Sequence, residues 1–281
     1  MDGLDSPRKP APRRHTMTLS SNRLGQIARL MCRMMGVVSQ GPVYYDLFEE
    51  FADLATQGMC PIGAPDERGH KDGWGLACFQ NGELKVHMRD AGSAAEASKY
   101  YGTAWKIAKL NIERSASQSL IVMGHLRRAS SSGSVAQKFA HPFVTERDGV
   151  TWAFQHNGSL VKESTGEEKI DSQILFDLVL DSLRGRTHQD VAKATLAARK
   201  TAIKEYEGFT SLNFMLSDGE VLHLYRDFEA NGQYYTLYMD NFGEMIVGAS
   251  EPILAMQAEP IPRGVLHTVP SNLHVQRTTI A

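Results

Sequence analysis

The sequence predicts an α+β fold, in which helices are layered on largely antiparallel sheets. Short apolar strand patterns stand near both ends of the 281-residue chain and surround a helical middle. Tight turns join successive strands, which favours antiparallel pairing. The composition is that of an ordinary globular protein, with 42% hydrophobic and 22% charged residues. These three observations together favour helices packed against sheets.

In the first half of the chain, strand and helix patterns alternate. The expected elements are a strand at 32–39, a helix at 43–57, strands at 74–79 and 84–88, a helix at about 93–113, and strands at 119–123 and 150–154. The first helix carries an apolar stripe that includes Leu47, Phe51 and Leu54, and Gly58 ends it. Asn81-Gly82 between two apolar runs predicts a hairpin.

The second half continues with two helices and a β-rich tail. The expected elements are helices at about 172–184 and 188–206, with Gly208 as cap, and strands at 210–216, 220–225, 234–239 and 245–248. The turns Ser217-Asp218-Gly219 and Asn241-Phe242-Gly243 separate the strands of the tail. The sequence shows no internal repeat and no linker to a second domain.

Bulk properties exclude several function classes. The net charge of −2 gives no electrostatic reason to expect nucleic acid or a membrane surface as partner. The sequence contains no apolar run of about 18 residues that would predict a membrane span. Cys32, Cys60 and Cys78 make no disulfide framework, so we expect a reducing, cytoplasmic compartment.

Residues 1–31 differ in composition from the rest. Their basic residues are Arg8, Lys9, Arg13, Arg14, Arg23 and Arg29, against the acidic residues Asp2 and Asp5. Pro7, Pro10 and Pro12 make a helix unfavourable there, and we expect disorder. We interpret 1–31 as a removable leader or a start codon assigned too far upstream. Met31 is then the working start, and 32–281 is the functional domain.

Cys32 follows Met31, and an initiator Met before a small residue is normally removed. Cys32 would then carry both a thiol nucleophile and a free α-amine, whose pKa is about 7.7–8.0. Such an amine can serve as the base of an N-terminal nucleophile. An ordinary buried thiol is the alternative for Cys32, and core or surface thiols are the interpretation for Cys60 and Cys78.

Four further segments carry polar residues suited to chemistry. In chain order they are Gly69-His70-Lys71-Asp72-Gly73-Trp74-Gly75, Gly124-His125-Leu126-Arg127-Arg128-Ala129, Phe154-Gln155-His156-Asn157-Gly158 and Ile170-Asp171-Ser172-Gln173. With Met31-Cys32-Arg33 ahead of them, this order and spacing resembles the class II, N-terminal-nucleophile glutamine amidotransferases. The closest resemblance is to their stand-alone branch, which has no synthase domain. It runs from Cys32 almost to the end and implies a four-layer αββα sandwich, with the nucleophile at the start of a central strand.

The resemblance also implies a catalytic set. Cys32 would attack the γ-carboxamide carbon of glutamine and form a thioester, and Arg33 would favour the thiolate. Asn157 and Gly158 would form the oxyanion hole, with an amide N–H and a backbone N–H aimed at one oxygen. A hairpin turn is the alternative for Asn157-Gly158.

Glutamine is a zwitterion, so its pocket needs one group of each sign. The resemblance implies that Arg127 binds the α-carboxylate and Asp171 the α-ammonium, with Ser130 assisting at the carboxylate. A surface arginine and a helix N-cap are the alternatives for Arg127 and Asp171. The run Ser130-Ser131-Ser132-Gly133 is one residue longer than usual, which leaves open whether the substrate is glutamine or a γ-glutamyl conjugate.

A glycine-rich loop and several histidines complete the expected site. Asp72, Gly73, Trp74 and Gly75 form a loop that we expect to pack beside Cys32 and order the N terminus. His125, His141 and His156 are expected to pack and hydrogen-bond in the walls of the site, the middle one from the segment Ala140-His141-Pro142-Phe143.

Two other function classes stay open. If residues 1–31 are retained, Cys32 has no free amine, and the domain would be a non-catalytic module that binds glutamine or a partner. A metal hydrolase could be built from His70, Asp72, His125, His141 and His156, but their spacing matches no short metal motif. We therefore expect no metal and no cofactor. The expected partner is a small γ-glutamyl substrate, and the sequence leaves open a homo-oligomer and a separate ammonia-using synthase subunit.

Overall fold

The computed structural model describes residues 32–60, 69–113, 119–129, 135–160, 169–206 and 208–281. The leader at 1–31, the proposed carboxylate ligand Ser130 and the lengthened run that it begins lie outside the described residues. Every other predicted site residue lies within them.

The described chain forms twelve strands and four α-helices. The strands are β1 (Arg33–Ser39), β2 (Gly73–Gln80), β3 (Glu83–Asp90), β4 (Leu120–Arg127), β5 (Phe143–Arg147), β6 (Val150–Asn157), β7 (Asn213–Ser217), β8 (Val221–Arg226), β9 (Tyr238–Asn241), β10 (Met245–Ala249), β11 (Val265–Pro270) and β12 (Gln276–Thr279). The helices are α1 (Asp46–Gln57), α2 (Ser98–Glu113), α3 (Asp171–Ser182) and α4 (His188–Glu205).

The strands form two six-stranded sheets in which every pairing is antiparallel. The first sheet has the order β3-β2-β4-β1-β10-β9, and the second has the order β12-β11-β8-β7-β6-β5. Strand β1 is fully buried and lies between β4 and β10. The prediction of an α+β fold with antiparallel sheets is confirmed.

Three apolar clusters stack these elements into four layers. One cluster joins α1 and α2 to the first sheet through residues such as Phe51, Trp74 and Tyr100. A second joins α3 and α4 to the second sheet, and Phe176 and Phe214 belong to it. The third lies between the sheets. Because the central strands of each sheet are buried on both faces, strands such as β1, β2 and β4 are largely apolar. The result is the αββα sandwich that the sequence implied.

Several element boundaries differ from those predicted. The first helix begins at Asp46, three residues later than expected, and a short 3₁₀ turn at Ala94–Glu96 precedes α2. Strands β4 and β6 run on to Arg127 and Asn157, because the polar residues at their ends are buried rather than looped out. The strand expected at 234–239 is wrong, since β9 begins only at Tyr238.

Three strands were missed because their sequences carry little strand signal. Strands β5 and β12 lie at the edges of the second sheet and are largely polar and exposed. Strand β11 has His267 and Thr268 in its middle. By contrast, the Asn81-Gly82 turn is confirmed: both residues have positive φ, 51° and 82°, as a tight two-residue hairpin requires.

None of the described helices combines the length and the apolar character needed to cross a lipid bilayer.

The close approach of the two sheets depends on Gly36 in β1. A Cβ at this position would lie 2.7 Å from Met215 Sδ and 2.9 Å from Leu222 Cδ2 of the opposite sheet. We expect Gly36→Ala to lower the free energy of unfolding by about 1–3 kcal/mol, because the sheets must part or the side chains must leave their rotamers. Urea denaturation measures this change.

Gly102→Ala in α2 is the matched control. A Cβ at Gly102 would meet no atom within 4 Å among the described residues. This substitution should raise the free energy of unfolding by about 0.5–1 kcal/mol, since alanine loses less backbone entropy in a helix. A Gly36→Ala protein as stable as the Gly102→Ala protein would contradict the packing argument.

Candidate active site

Cys32 lies one residue before β1, which is an interior strand of the first sheet. Its backbone nitrogen donates a hydrogen bond to Asn157 Oδ1 at 2.9 Å. Its Sγ lies 4.0 Å from the carbonyl oxygen of Arg128. The residue as a whole is partly exposed, whereas its sulfur is desolvated.

Asn157 ends β6 in the second sheet and faces Cys32 across the gap between the sheets. Its side chain is fully buried, and its Oδ1 is occupied by the Cys32 nitrogen. Its Nδ2 is buried and has no hydrogen-bond partner within the described part of the chain. A buried amide donor without a partner is costly, and such donors mark places where function requires them. Asn157 thus presents an amide N–H pair without a partner in the described ranges beside Cys32.

Gly158 follows Asn157 at a point where the backbone is tightly packed. A Cβ at Gly158 would overlap the carbonyl oxygen of Ser211 and lie 2.9 Å from His156 Nε2. The chain does not turn back in a hairpin here, since Leu160 forms an isolated bridge with Phe209. The hairpin alternative is therefore wrong, and only glycine fits the end of β6.

His156 fixes the end of β6 through both ring nitrogens. Nε2 lies 3.0 Å from the Ser211 carbonyl, and Nδ1 lies 3.0 Å from Ser172 Oγ. A carbonyl can only accept, so Nε2 carries the proton and Nδ1 accepts from the hydroxyl. His125 Nε2 lies 3.3 Å from the carbonyl oxygen of His156 and donates to it. These two histidines hold backbone and side chains in the site wall.

His141 behaves differently. Its ring lies 4.1 Å from that of His125, centroid to centroid, and both of its nitrogens are buried without a partner among the described residues. Burial lowers the pKa of His141 well below its ordinary value, and nearby His125, His156 and Arg127 lower it further. No group of three or more His, Cys, Asp or Glu side chains in the described ranges is arranged to hold a metal ion.

Arg127 and Asp171 lie on different elements and act on the same thiol. Arg127 ends β4 and is buried, with its guanidinium 5.8 Å from the centroid of the Phe139 ring. Asp171 begins α3. Its Oδ1 accepts from Ser172 N at 2.9 Å and its Oδ2 from Leu160 N at 3.2 Å. The N-cap of α3 is Ile170, so the N-cap alternative for Asp171 is wrong. Each of the two Asp171 oxygens accepts a different backbone N–H.

Burial raises the pKa of the Cys32 thiol above its ordinary value. The Arg127 guanidinium and a backbone hydrogen bond at Arg128 counter this effect, whereas the Asp171 carboxylate adds to it. Opposite charges therefore lie within Coulombic range of the sulfur. The raised pKa means that the protonated thiol is the resting form, so any reaction of the thiolate would need a base to remove the proton.

Of the groups that shift the pKa of the Cys32 thiol, Arg33 has the smallest effect. Its contacts indicate a different role from the expected one of favouring the thiolate. Its Nε pairs with Glu251 Oε2 at 2.6 Å, Nη1 donates to the Cys32 carbonyl at 3.1 Å, and Nη2 donates to the Met59 carbonyl. Its guanidinium also lies 4.9 Å from the centroid of the Tyr234 ring. Arg33 clamps the backbone around Cys32, and Glu251 largely neutralises its charge.

The Asp72–Gly75 segment supports the strand that carries Arg127. Asp72 N donates to the Arg127 carbonyl at 2.9 Å, and Asp72 Oδ2 accepts from Ala129 N at 2.7 Å. A Cβ at Gly75 would overlap the His141 carbonyl oxygen, and one at Gly73 would lie 3.2 Å from the Asp90 carbonyl oxygen. Its hydrogen bonds in the described ranges thus support the backbone at Arg127 and Ala129, on either side of the Arg128 carbonyl that faces the Cys32 sulfur.

Trp74 has no place in the site itself. It is fully buried in the cluster beneath the helices, where its ring lies 5.3 Å from that of Tyr100. Sequence reasoning missed Glu251 and Tyr235, which reach the site from the β-rich tail. No motif marks them, because the tail reads as ordinary strand and turn sequence.

The chain is similar to known proteins over most of its length. The family model described as class-II glutamine amidotransferases matches residues 31–248. A protein of Haemophilus influenzae named "Putative glutamine amidotransferase" is 27% identical over 203 residues, which cover 69% of this chain and 62% of that protein. The chain thus spans less than two thirds of that relative's length.

Two solved structures share the fold. A class-II domain protein from Silicibacter pomeroyi, titled a glutamine aminotransferase, has a TM-score of 0.55 and 16% identity, covering 88% of this chain and 99% of its own. Glutamine phosphoribosylpyrophosphate amidotransferase from B. subtilis has a TM-score of 0.54 and 12% identity, covering 88% of this chain and 49% of its own. At these identities the likeness shows the fold alone.

The buried histidines predict that acid destabilises the protein. Burial lowers the pKa of His125 to about 3 and that of His223 to about 4, from an ordinary value of 6.5. Below pH 6.5 the unfolded chain therefore binds more protons than the folded one. We expect the free energy of unfolding to fall between pH 6.5 and 4 by up to about 1.4 kcal/mol per pH unit for each such histidine.

Urea denaturation at several pH values measures this slope. His223 lies outside the site, with Nδ1 2.8 Å from Thr268 Oγ1, and His223→Gln removes one titrating group. The variant should show a slope that is less steep by about 1.4 kcal/mol per pH unit. An unchanged slope in the variant would show that His223 is protonated in the folded state.

Proposed function

Because the chain belongs to the class II glutamine amidotransferases, we propose that it hydrolyses the γ-amide of glutamine or a related γ-glutamyl compound through a thioester on Cys32. Ammonia or an amine is the leaving group. One observation carries the proposal: Asn157 accepts from the Cys32 nitrogen through Oδ1 while its Nδ2 stays buried and unpaired in the described chain. The nucleophile, its nitrogen and an oxyanion donor thus converge on one point.

The first step forms the thioester. Cys32 Sγ attacks the γ-carbonyl carbon, the thiol proton passes to the α-amine of Cys32, and the carbonyl oxygen becomes an oxyanion. The amine then protonates the leaving nitrogen, the carbon–nitrogen bond breaks, and the carbonyl re-forms as a thioester. The hydrogen bond from Cys32 N to Asn157 Oδ1 supports this role, since it fixes the nitrogen beside the sulfur.

The second step is hydrolysis of the thioester. Water gives a proton to the Cys32 amine and attacks the same carbon, and the carbon–sulfur bond breaks as the proton returns to sulfur. In both steps Asn157 Nδ2 and the Gly158 N–H would stabilise the oxyanion. The tight packing around Gly158 supports this assignment, because it holds the backbone N–H in place.

Recognition of the substrate would rest on charge. The guanidinium of Arg127 would bind the α-carboxylate, with Ser130 assisting, and Asp171 would bind the α-ammonium. The opposite effects of Arg127 and Asp171 on the Cys32 thiol support this assignment. The ammonia would be released or passed to a separate synthase subunit.

Removal of residues 1–31 is the first test. The full chain and a chain that begins at Met31, whose loss exposes Cys32, are assayed for ammonia release from glutamine and from a panel of γ-glutamyl compounds. A protein with Cys32 at its N terminus should be faster by about 10²–10⁴-fold, because only it has a free amine as base.

Two thiol variants of the shorter chain serve as controls. Cys32→Ala should lower kcat by about 10³-fold or more. Cys78→Ala removes a buried thiol in β2 and should keep near-normal kcat. A full chain that is fully active, with intact mass showing residues 1–31 still attached, would contradict the amine mechanism and favour a different function for the domain.

Asn157 offers a sharper test of the oxyanion hole. Asn157→Ala should lower kcat by about 10²–10³-fold with little change in KM, since the oxyanion exists mainly in the transition state. Asn157→Asp keeps an oxygen that accepts from the Cys32 nitrogen but lacks the N–H donors, and it should lose a similar amount. If Asn157→Asp keeps wild-type kcat, the residue acts only by holding the Cys32 nitrogen.

A further inference from the structure

Tyr235 is a buried tyrosine whose hydroxyl the proposed mechanism does not use. The residue is 1% exposed, and within the described ranges no group meets its hydroxyl at full hydrogen-bond geometry, the Thr210 side chain being the nearest polar neighbour that affects it. A buried tyrosine hydroxyl normally finds a partner, and leaving one unpaired carries a free-energy cost. An unpaired buried hydroxyl at the edge of a site is the kind of group that a bound molecule can satisfy.

The backbone on both sides of Tyr235 is held firmly. Arg226 Nε donates to the Tyr235 carbonyl at 2.8 Å. Thr236 Oγ1 donates to the Ser250 carbonyl at 2.6 Å, and Asn213 Nδ2 donates to the Thr236 carbonyl at 3.4 Å. These contacts fix the backbone from which the phenol projects.

These contacts place the phenol beside the end of β6. Asn213 lies directly opposite Asn157 in the pairing of β7 with β6. Thr210 is a neighbour of the phenol. Its Oγ1 accepts a hydrogen bond at 2.9 Å from the backbone nitrogen of Ser159, the residue after Gly158. Tyr235 therefore stands next to the strand end that carries the oxyanion-hole residues.

The electrostatic surroundings of the phenol point to the substrate. Burial raises the pKa of Tyr235 well above its ordinary value, and the Thr210 side chain lowers it in part. Tyr234, Cys32 and Asp171 each raise it further, in that order. The phenol is therefore protonated at neutral pH. It lies within Coulombic range of both the nucleophile and the expected α-ammonium ligand.

We propose that the hydroxyl oxygen of Tyr235 accepts a hydrogen bond from the α-ammonium group of the substrate, beside Asp171. The inference rests on the function proposed above. An ammonium group presents three N–H donors, so a single carboxylate does not satisfy it. Asp171 already accepts a backbone N–H on each of its oxygens, from Ser172 and from Leu160. The phenol oxygen supplies a further acceptor on the same side of the pocket.

The test compares glutamine with glutaric acid monoamide, which has the same γ-amide but no α-ammonium group. It uses processed protein whose N terminus has been determined as Cys32. Tyr235→Phe should raise the KM for glutamine by about 10-fold, the cost of losing one hydrogen bond to a charged group, with kcat changed less than about 2-fold. For the monoamide, wild-type and variant proteins should have the same kcat/KM.

Tyr225→Phe is the matched control. Tyr225 is also fully buried, but its hydroxyl lies 3.4 Å from Asp227 and packs in the cluster beneath α3 and α4. This variant should lower the melting temperature without changing the KM for glutamine or for the monoamide. Comparing Tyr225→Phe with Tyr235→Phe therefore separates an effect on protein stability from the loss of a substrate contact.

The outcomes separate the two proposals. Equal losses in kcat/KM for glutamine and the monoamide in Tyr235→Phe, or no loss for either substrate, would overturn the ammonium contact and leave the proposed function intact. If the wild-type protein neither turns over glutamine nor binds it by calorimetry, the proposed function is wrong, and the Tyr235 inference falls with it.

Discussion

The hydrogen bond between the Cys32 nitrogen and Asn157 Oδ1 joins the two sheets at the site, and the candidate chemistry depends on it. It connects the start of β1 in one sheet to the end of β6 in the other. A second contact runs in parallel, since the buried Gln155 Nε2 donates to the Met35 carbonyl at 2.8 Å. Both require the sheets to approach closely, which Gly36 permits. The geometry of the site therefore depends on how closely the two sheets pack.

The site balances a buried sulfur against nearby charges. Burial alone would keep the Cys32 thiol protonated, and Asp171 reinforces that tendency, whereas Arg127 opposes it. A substrate that neutralises Asp171 with its ammonium and Arg127 with its carboxylate would remove both influences together. The reactivity of the thiol would then depend mainly on the nitrogen of the same residue and on the oxyanion donors, which is the arrangement expected for a base-activated nucleophile.

The sequence predicted the arrangement of strands and helices better than the details of the site. Apolar runs and the Asn81-Gly82 turn determine strand pairing locally, so β1, β2 and β3 were predictable. The ends of β4 and β6 were not, because Arg127 and Asn157 look like loop residues until the opposite layer buries them.

Tyr235 and Glu251 illustrate what local patterns cannot show. Glu251 contacts Arg33 and Met59, about 200 positions earlier in the chain, and Tyr235 lies within Coulombic range of Cys32. No spacing rule encodes such proximity. Trp74 shows the opposite error: it belongs to a glycine-rich motif, yet its side chain points into the helix-facing core because alternate residues of β2 face opposite layers.

If Cys32 is the N-terminal nucleophile proposed above, it must be held in place, because terminal residues normally fray. Regular pairing of β1 with β4 begins at Arg33, opposite Leu126, so Cys32 lies just beyond the ladder. Three contacts compensate: its nitrogen binds Asn157, its carbonyl accepts from Arg33, and its sulfur lies against the Arg128 carbonyl. Arg33 is itself fixed by Glu251. All three contacts lie on Cys32 or C-terminal to it, so exposing a new N terminus there leaves the means of holding it intact.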